Sequence, residues 1–413
     1  MKKTKTIIFI AASAILLMGC SRGGGGAVND GKLPSGGEET SLATSEGKEL
    51  MKNRLNAVSE AYEGLDLDSV ALTSTLSGFN VGLEANVEVK DIGKISIDAG
   101  VKNYGFKAEM KAAKDGKGVK ASATTKTTGG NVSIKGSLPG KEQGKTAKID
   151  ASLSLSGVEE NAYLANKNVY VDVSSNGNET FVKNTETFAN KLIDQINDSM
   201  LGSLVPYYIQ GYGLNEMGDV YDAKTGHFNL VSAYNKYLPE KKIALKNYAN
   251  FEWPTISFDE SKDEDSIDLS QISEGIQYLA EMKVDLNIVT YKNGAFGITA
   301  SLDKESLKAI MRLTGLESDY YTAIVNMFTT VECNASAYFN KDNLLESVGF
   351  AYNCEAKMDK SFMKAMGVEE QALTAFDVKY SLKAEEKVAI KYGGIEVKLP
   401  DFSDYKEMST YKY

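Results

Sequence analysis

The chain carries few side chains able to do chemistry, and their scarcity excludes more than any motif includes. His227 is the single histidine, set in Gly226-His227-Phe228. One histidine supplies neither a His-rich metal cluster nor an HExxH pair. No G-x-S-x-G elbow is present to pair with it, so His227 reads as a loop residue. Arg22, Arg54 and Arg312 are the only arginines, too few for a site that grips phosphate or carboxylate bidentately. Gly140-Lys141-Glu142-Gln143-Gly144-Lys145-Thr146 has three residues between its glycines where a phosphate loop has four, and it precedes a strand instead of opening a helix. It reads as a turn. Asp259 to Asp265 is acidic, but it lacks the glycine and the spaced ligands of a calcium loop and contains Lys262. It reads as a solvated loop. Acid, base and nucleophile do not assemble anywhere, so no enzyme, no metal and no cofactor is expected.

Cys20 is the residue with a specific chemistry. Lys2, Lys3 and Lys5 precede a largely apolar run from Ile7 to Met18, which closes on Leu17-Met18-Gly19-Cys20 and then Ser21, Arg22 and Gly23 to Gly26. Charge, a short apolar segment and small residues make the layout of an export signal. The run is shorter than the roughly 20 residues that span a bilayer. Leu-x-Gly-Cys resembles the lipobox of bacterial lipoproteins. The resemblance implies diacylation of the Cys20 thiol, cleavage before it, and an exported chain held by lipid (palmitate or a similar acyl group) on the periplasmic or outer side of a bacterial membrane. Ser21 in place of Asp favours an outer-membrane or cell-surface destination where a second membrane exists.

Loss of residues 1–19 removes three lysines and no acid, moving the formal charge from −10 to −13. So acidic a chain argues against nucleic acid as a partner. Residues 20–47, rich in Gly, Ser, Glu and Thr, read as a lipidated flexible tether. As a coil it reaches roughly 30 Å. Residues 48–413 then read as one α+β domain. Met51, Leu55, Val58 and Tyr62 predict a helix over about 47–63, stopped at Gly64. From Val70 to Val173 the period is two: Val81, Leu83, Ala85, Val87; Ile95, Ile97, Ala99, Val101; Phe106, Ala108, Met110, Ala112; Ala147, Ile149, Ala151, Leu153, Leu155. Turn signals at Asp91-Ile92-Gly93, Asp115-Gly116, Gly129-Gly130 and Pro139-Gly140 divide this into an antiparallel meander with one wet face.

A helical insertion is predicted over about 180–282, with Phe188, Leu192, Ile196 and Met200 on one stripe ending before Pro206. Strands return at about 284–302. Helices follow around Leu307–Met311, stopped at Gly315, and around Tyr321–Phe328. A hairpin spans 329–357, a helix begins near 360, and strands run from Phe376 to Leu399. Cys333 falls in the apolar set Val331, Ala335, Ala337, Phe339, and Cys354 in the set Val348, Phe350, Tyr352, Ala356. A symmetric turn at Asn340-Lys341-Asp342-Asn343 leaves Cys354 two to four residues beyond direct opposition, on the same face. In an oxidising compartment a disulfide between them is expected.

Ala162-Tyr163-Leu164 with Asn168-Val169-Tyr170-Val171, the passage Gly297 to Leu307, the Asn340–Asn343 hairpin and the ending Tyr392 to Pro400 resemble the LolA/LppX-like bacterial lipoprotein superfamily. The likeness covers about a third of the chain. It implies a strongly curved antiparallel half-barrel whose concave face is covered by helices and holds lipid or other apolar cargo. In such a cavity Ala85, Ala99, Ala108, Ala121, Ala123 and Ala151 are the expected lining, because small inward residues leave volume for a ligand. The expected function is a membrane-anchored extracytoplasmic lipoprotein binding an apolar ligand, its membrane partner reached through the lipid on Cys20. The alternative is an envelope-structural or protein-interaction lipoprotein with a filled core.

Overall fold

The computed structural model describes residues 33–407 apart from 64, 66, 90–92, 117, 249–277, 314–318 and 366–372. In chain order its elements are β1 (Glu38–Ser41), α1 (Ser45–Glu63), β2 (Ser69–Val89), β3 (Gly93–Asp115), β4 (Gly118–Pro139), β5 (Thr146–Ser154), β6 (Glu159–Ala165), β7 (Asn168–Asp172), α2 (Asn176–Asn197), α3 (Val205–Gly211), β8 (Tyr221–Asp222), β9 (His227–Phe228), α4 (Leu230–Tyr237), β10 (Lys242–Leu245), β11 (Asp285–Thr290), β12 (Phe296–Asp303), α5 (Lys304–Leu313), α6 (Asp319–Met327), β13 (Phe328–Phe339), β14 (Leu345–Asp359), α7 (Lys360–Ala365), β15 (Leu373–Tyr392) and β16 (Lys406–Glu407). Short 3-10 turns occur at Met200–Leu204 and Leu214–Glu216.

The protein is α+β, built on a 14-stranded sheet in the order β1-β11-β12-β13-β14-β15-β2-β3-β4-β6-β7-β10-β16, with β5 also paired to β4. Every described pairing in it is antiparallel except β10 with β16. The order is open, with β1 and β16 as its ends.

Alternation decides which face each side chain takes, because residues opposite one another across a strand pair project to the same side. The front face carries rows such as Tyr380–Leu83–Ala99–Ile134–Ala151 and Val378–Ala85–Ile97–Gly136–Ile149. The back face carries the intervening Lys, Glu, Asp, Ser and Asn, joined in places by ion pairs such as Lys379–Glu84 at 3.0 Å. Exposed pairs of this kind contribute little to stability.

Helices cover the front face at its margins. On one side Met51 and Val58 of α1 pack with Leu42, Ile288, Phe296, Ala337 and Phe339. The end of α1 is locked by a closed ring of hydrogen bonds. Leu345 N–H donates to Tyr62 Oη at 3.2 Å, Tyr62 and Tyr392 hydroxyls meet at 2.7 Å, and Tyr392 Oη–H donates to the Leu345 carbonyl at 3.0 Å. Val331, Ala356 and Val378 are buried where α6 and α7 pack on β13–β15. On the other side α2 packs on β5, whose Ala147, Ile149, Ala151 and Leu153 are all buried while the residues between them are exposed. The back face is covered near β6, β7 and β10 by the C-terminal tail, where Phe402 stacks on Tyr170 at 3.7 Å and Tyr405 packs beside it.

β2, β3, β4 and β15 are 20 to 23 residues long, several times the usual strand. At about 3.3 Å per residue the longest reaches about 75 Å. Each is interrupted at one level. Register shifts fall between Leu76 and Val81 in β2, between Lys102 and Phe106 in β3, and between Lys383 and Glu385 in β15. Gly78 (φ 59°), Asn103 (φ 52°) and Gly130 (φ 135°) sit along this line. Bulges locally bend a strand and increase its twist; this aligned row of irregularities is called the crease below.

Several expectations change here. Gly129-Gly130 is not a turn between strands but the crease within β4. The tether predicted over 20–47 is shorter: β1 pairs with β11, Leu42 is buried, and Thr44 accepts from Gly47 N–H at 3.0 Å to start α1. A four-residue strand gives too few alternations to show in sequence. The insertion over 180–282 is helical in α2, α3 and α4, but β10 inside it joins the sheet beside β7. Pro206 lies in the first turn of α3, where a missing N–H costs nothing. The strand β15 stops at Tyr392; Gly393 (φ 70°) and Gly394 (φ 65°) turn the chain, and 395–399 is not strand. Gly64, Gly315, Cys20, residues 1–32, Asp91-Ile92 and Asp259–Asp265 lie outside the described residues.

Candidate binding face

Between the two helical margins the front face of β2, β3 and β4 is incompletely covered. Leu83, Met110 and Tyr380 are 38, 39 and 37% exposed on strands that are largely apolar on this side, with a polar row, Ser74–Ala108–Thr125–Glu160, crossing it. Val81, Ala85, Val87, Ile95, Ile97, Ala99, Val101, Val132 and Ile134 around them are half-buried. Below the crease the same face continues through Ile390–Leu72–Met110–Ala123–Ala162 and Tyr392–Val70–Ala112–Ala121–Leu164. Residues this apolar normally lie under another layer. The result is a half-exposed, largely apolar strip of sheet, called the floor below, with helices packed on the strands to either side.

The register places Ala85, Ala99, Ala108, Ala121 and Ala123 together on this floor, each half-buried. Ala151 is different. It shares a row with Ala99 but is 0% exposed on β5, the strand under α2, so it is packed and lines no open volume. The small inward residues are thus an open floor, not the wall of an enclosed cavity.

Glu386, on β15 beside this floor, is an ionisable residue that sequence reasoning missed. It pairs with Phe350 on β14 and with Leu76 on β2, in line with Ala384 and Val388. Its neighbours Lys383, Glu385 and Lys387 project to the back. Burial pushes its carboxyl above the usual carboxylate range, and no cation offsets this. The signal was present in the spacing: Leu382, Ala384, Val388 and Ile390 alternate, and Glu386 falls on the apolar step.

Cys333 stands opposite Tyr352, and Cys354 opposite Val331, so the cysteines are diagonal neighbours on the front face. Both are free thiols in the structure. Diagonal neighbours lie farther apart than directly opposed residues, and a disulfide needs Cβ atoms about 3.5–4.5 Å apart. Burial, with Cys354 beside it, pushes the Cys333 thiol up to about 11. Native protein at neutral pH is therefore expected to alkylate slowly, because only the thiolate reacts. After unfolding without reductant both cysteines should take the label; a Cys333–Cys354 linked peptide in mass mapping would contradict this.

His227 is in β9, and its Nε2 lies 2.8 Å from Asp194 Oδ1 of α2. This pair fastens the β8–β9 ribbon to α2, with Asn190 Oδ1 accepting from Phe228 N–H at 2.7 Å beside it. The turn over 140–145 joins β4 to β5 as expected, held by Gly140 N–H to the Lys145 carbonyl at 2.8 Å. A hollow of about 170 Å³ lies between α5 and α6, lined by Lys308, Arg312, Tyr321 and Asn326. No group of three or more His, Cys, Asp or Glu among the described residues is placed to hold a metal ion. At the far end of α2, Met200, Leu201, Leu204, Tyr207, Tyr208, Tyr212 and Met217 are all exposed, Tyr212 by 78%. No protein-family model matches the chain, and no curated protein matches it.

Proposed function

We propose that this protein is a membrane-anchored extracytoplasmic lipoprotein that shelters a lipid or other apolar ligand on the front face of its sheet. The observation that carries the reading is the half-exposed apolar floor of β2–β4 between α2 on one side and α6 and α7 on the other. A ligand there would gain about 25 cal/mol for each Å² of apolar surface removed from water. Anchoring rests on Leu17-Met18-Gly19-Cys20 and the apolar run before it. The aligned bulges support the finer form of the reading, in which the sheet bends along its crease into the shallow half-barrel that the LolA/LppX-like resemblance implies. Ligand and membrane are the partners; the chain performs no reaction in this reading.

The test is Ala99→Trp in the full chain, read by uptake of N-phenyl-1-naphthylamine and by thermal unfolding. An indole on an open floor should reduce uptake severalfold and leave the melting temperature within a few degrees. If the floor were packed solid, the same change would cost about 1–3 kcal/mol by overpacking, and the wild type would take up no probe.

A second reading is favoured by one observation. The tip from Met200 to Met217 presents seven large apolar side chains to solvent, and aromatic residues of this kind anchor protein interfaces. A wild-type protein that takes up no probe and yields no lipid on organic extraction would support an interaction lipoprotein instead.

A further inference from the structure

We infer that the ligand is a cationic amphiphile, its ammonium head paired with Glu386 and its hydrocarbon chain laid along the floor of β2–β4. The inference deepens the proposed binding face and rests on it. Glu386 lies on the front face between Phe350 and Leu76, at the level where the crease crosses β15 and β2. Among the described residues it has no hydrogen-bond or ion-pair partner, and Lys383, Glu385 and Lys387, flanking it on β15, point to the opposite side. An ionised carboxylate half-removed from water without a partner is unfavourable, and pairing it with a cation relieves the penalty. Burial raises its carboxyl for the same reason.

The geometry beyond Glu386 fits a chain. From Val81 to Val87 the floor above the crease extends about 20 Å. A single acyl chain spans half of the roughly 30 Å hydrocarbon core of a bilayer. A head at the crease therefore leaves room for a full chain along Val81, Leu83, Ala99 and Ile97. Charge complementarity also selects the head: a phosphate or carboxylate would sit against Glu386 with no nearby cation, whereas an amine meets its opposite charge.

The experiment uses the full chain carrying Cys20→Ala, so that no attached acyl group competes, with N-phenyl-1-naphthylamine as the reporter. Hexadecylamine should displace the reporter at a concentration about tenfold or more below that of hexadecanol. Glu386→Gln should abolish this preference while leaving displacement by hexadecanol unchanged, and Glu385→Gln, on the back face, should keep it. Glu386→Gln should melt no lower than its parent, since it removes an unpaired charge. Reporter uptake with equal displacement by amine and alcohol, or an amine preference that survives Glu386→Gln, would overturn the ammonium assignment and leave the apolar binding face standing. Absence of reporter uptake in the parent chain would overturn both.

Discussion

A chain carrying Cys20→Ala should incorporate no fatty-acid label and should yield an uncleaved or soluble product. The expectation is all or none because the thiol is the acylated atom, and a methyl group cannot replace it. Two acyl chains matter physically: one gives marginal, reversible membrane binding, and a second makes the anchor stable. No helix among the described residues is long and apolar enough to cross a membrane, so no spanning helix there would retain the variant. Metabolic labelling followed by detergent phase partition is the measurement. Undiminished label in the variant would dispose of the lipoprotein reading, and with it the membrane as partner.

Where period-two alternation is long and uninterrupted, the sequence was sufficient. Ala147 to Leu153 alternate with Lys148, Asp150 and Ser152, and the strand is buried and exposed in the same order. The hairpin turn at Asn340 was legible for a local reason, since its side chain accepts from Asp342 and Leu344 N–H groups at 2.9 and 3.1 Å. At the start of α5, Asp303 accepts from Ser306 N–H at 2.9 Å, a cap that is likewise local. What could not be read depends on register between distant strands. Gly129-Gly130 has the composition of a turn, and only its alignment with Gly78 and Asn103 shows it to be a bend inside a strand. Ala99 and Ala151 look alike in sequence. One lies on an open floor and the other on a strand under α2, a difference set by which strand a helix happens to cover. The side chain of Glu386 was hidden by parity, because the acidic and basic residues around it made its stretch look uniformly solvated.

Phe296→Ala should destabilise the protein by about 3–5 kcal/mol, the usual cost of deleting a buried aromatic side chain. Phe296 is 0% exposed and stacks on Phe339 at 4.5 Å between centroids, with the Arg54 guanidinium 5.4 Å above its ring. Arg54 also donates to the Gly294 carbonyl at 3.0 Å, so the ring, the arginine and the turn before β12 hold α1 against the sheet as one unit. Neighbouring side chains cannot collapse easily into the space, because Ile288 and Leu42 are fixed by paired strands and by the helix start. Chemical or thermal unfolding measures the loss; a change below about 1 kcal/mol would mean that this cluster is not the core that seats α1. The contrast with Ala99→Trp locates the two properties of the sheet in different strands. Phe296 belongs to β12, separated from β2 by β13, β14 and β15 in the strand order. At temperatures where the Phe296→Ala chain is still folded, it should take up N-phenyl-1-naphthylamine as the parent does. A loss of uptake parallel to the loss of stability would instead place the ligand under α1, and the floor of β2–β4 would then be a solvated surface.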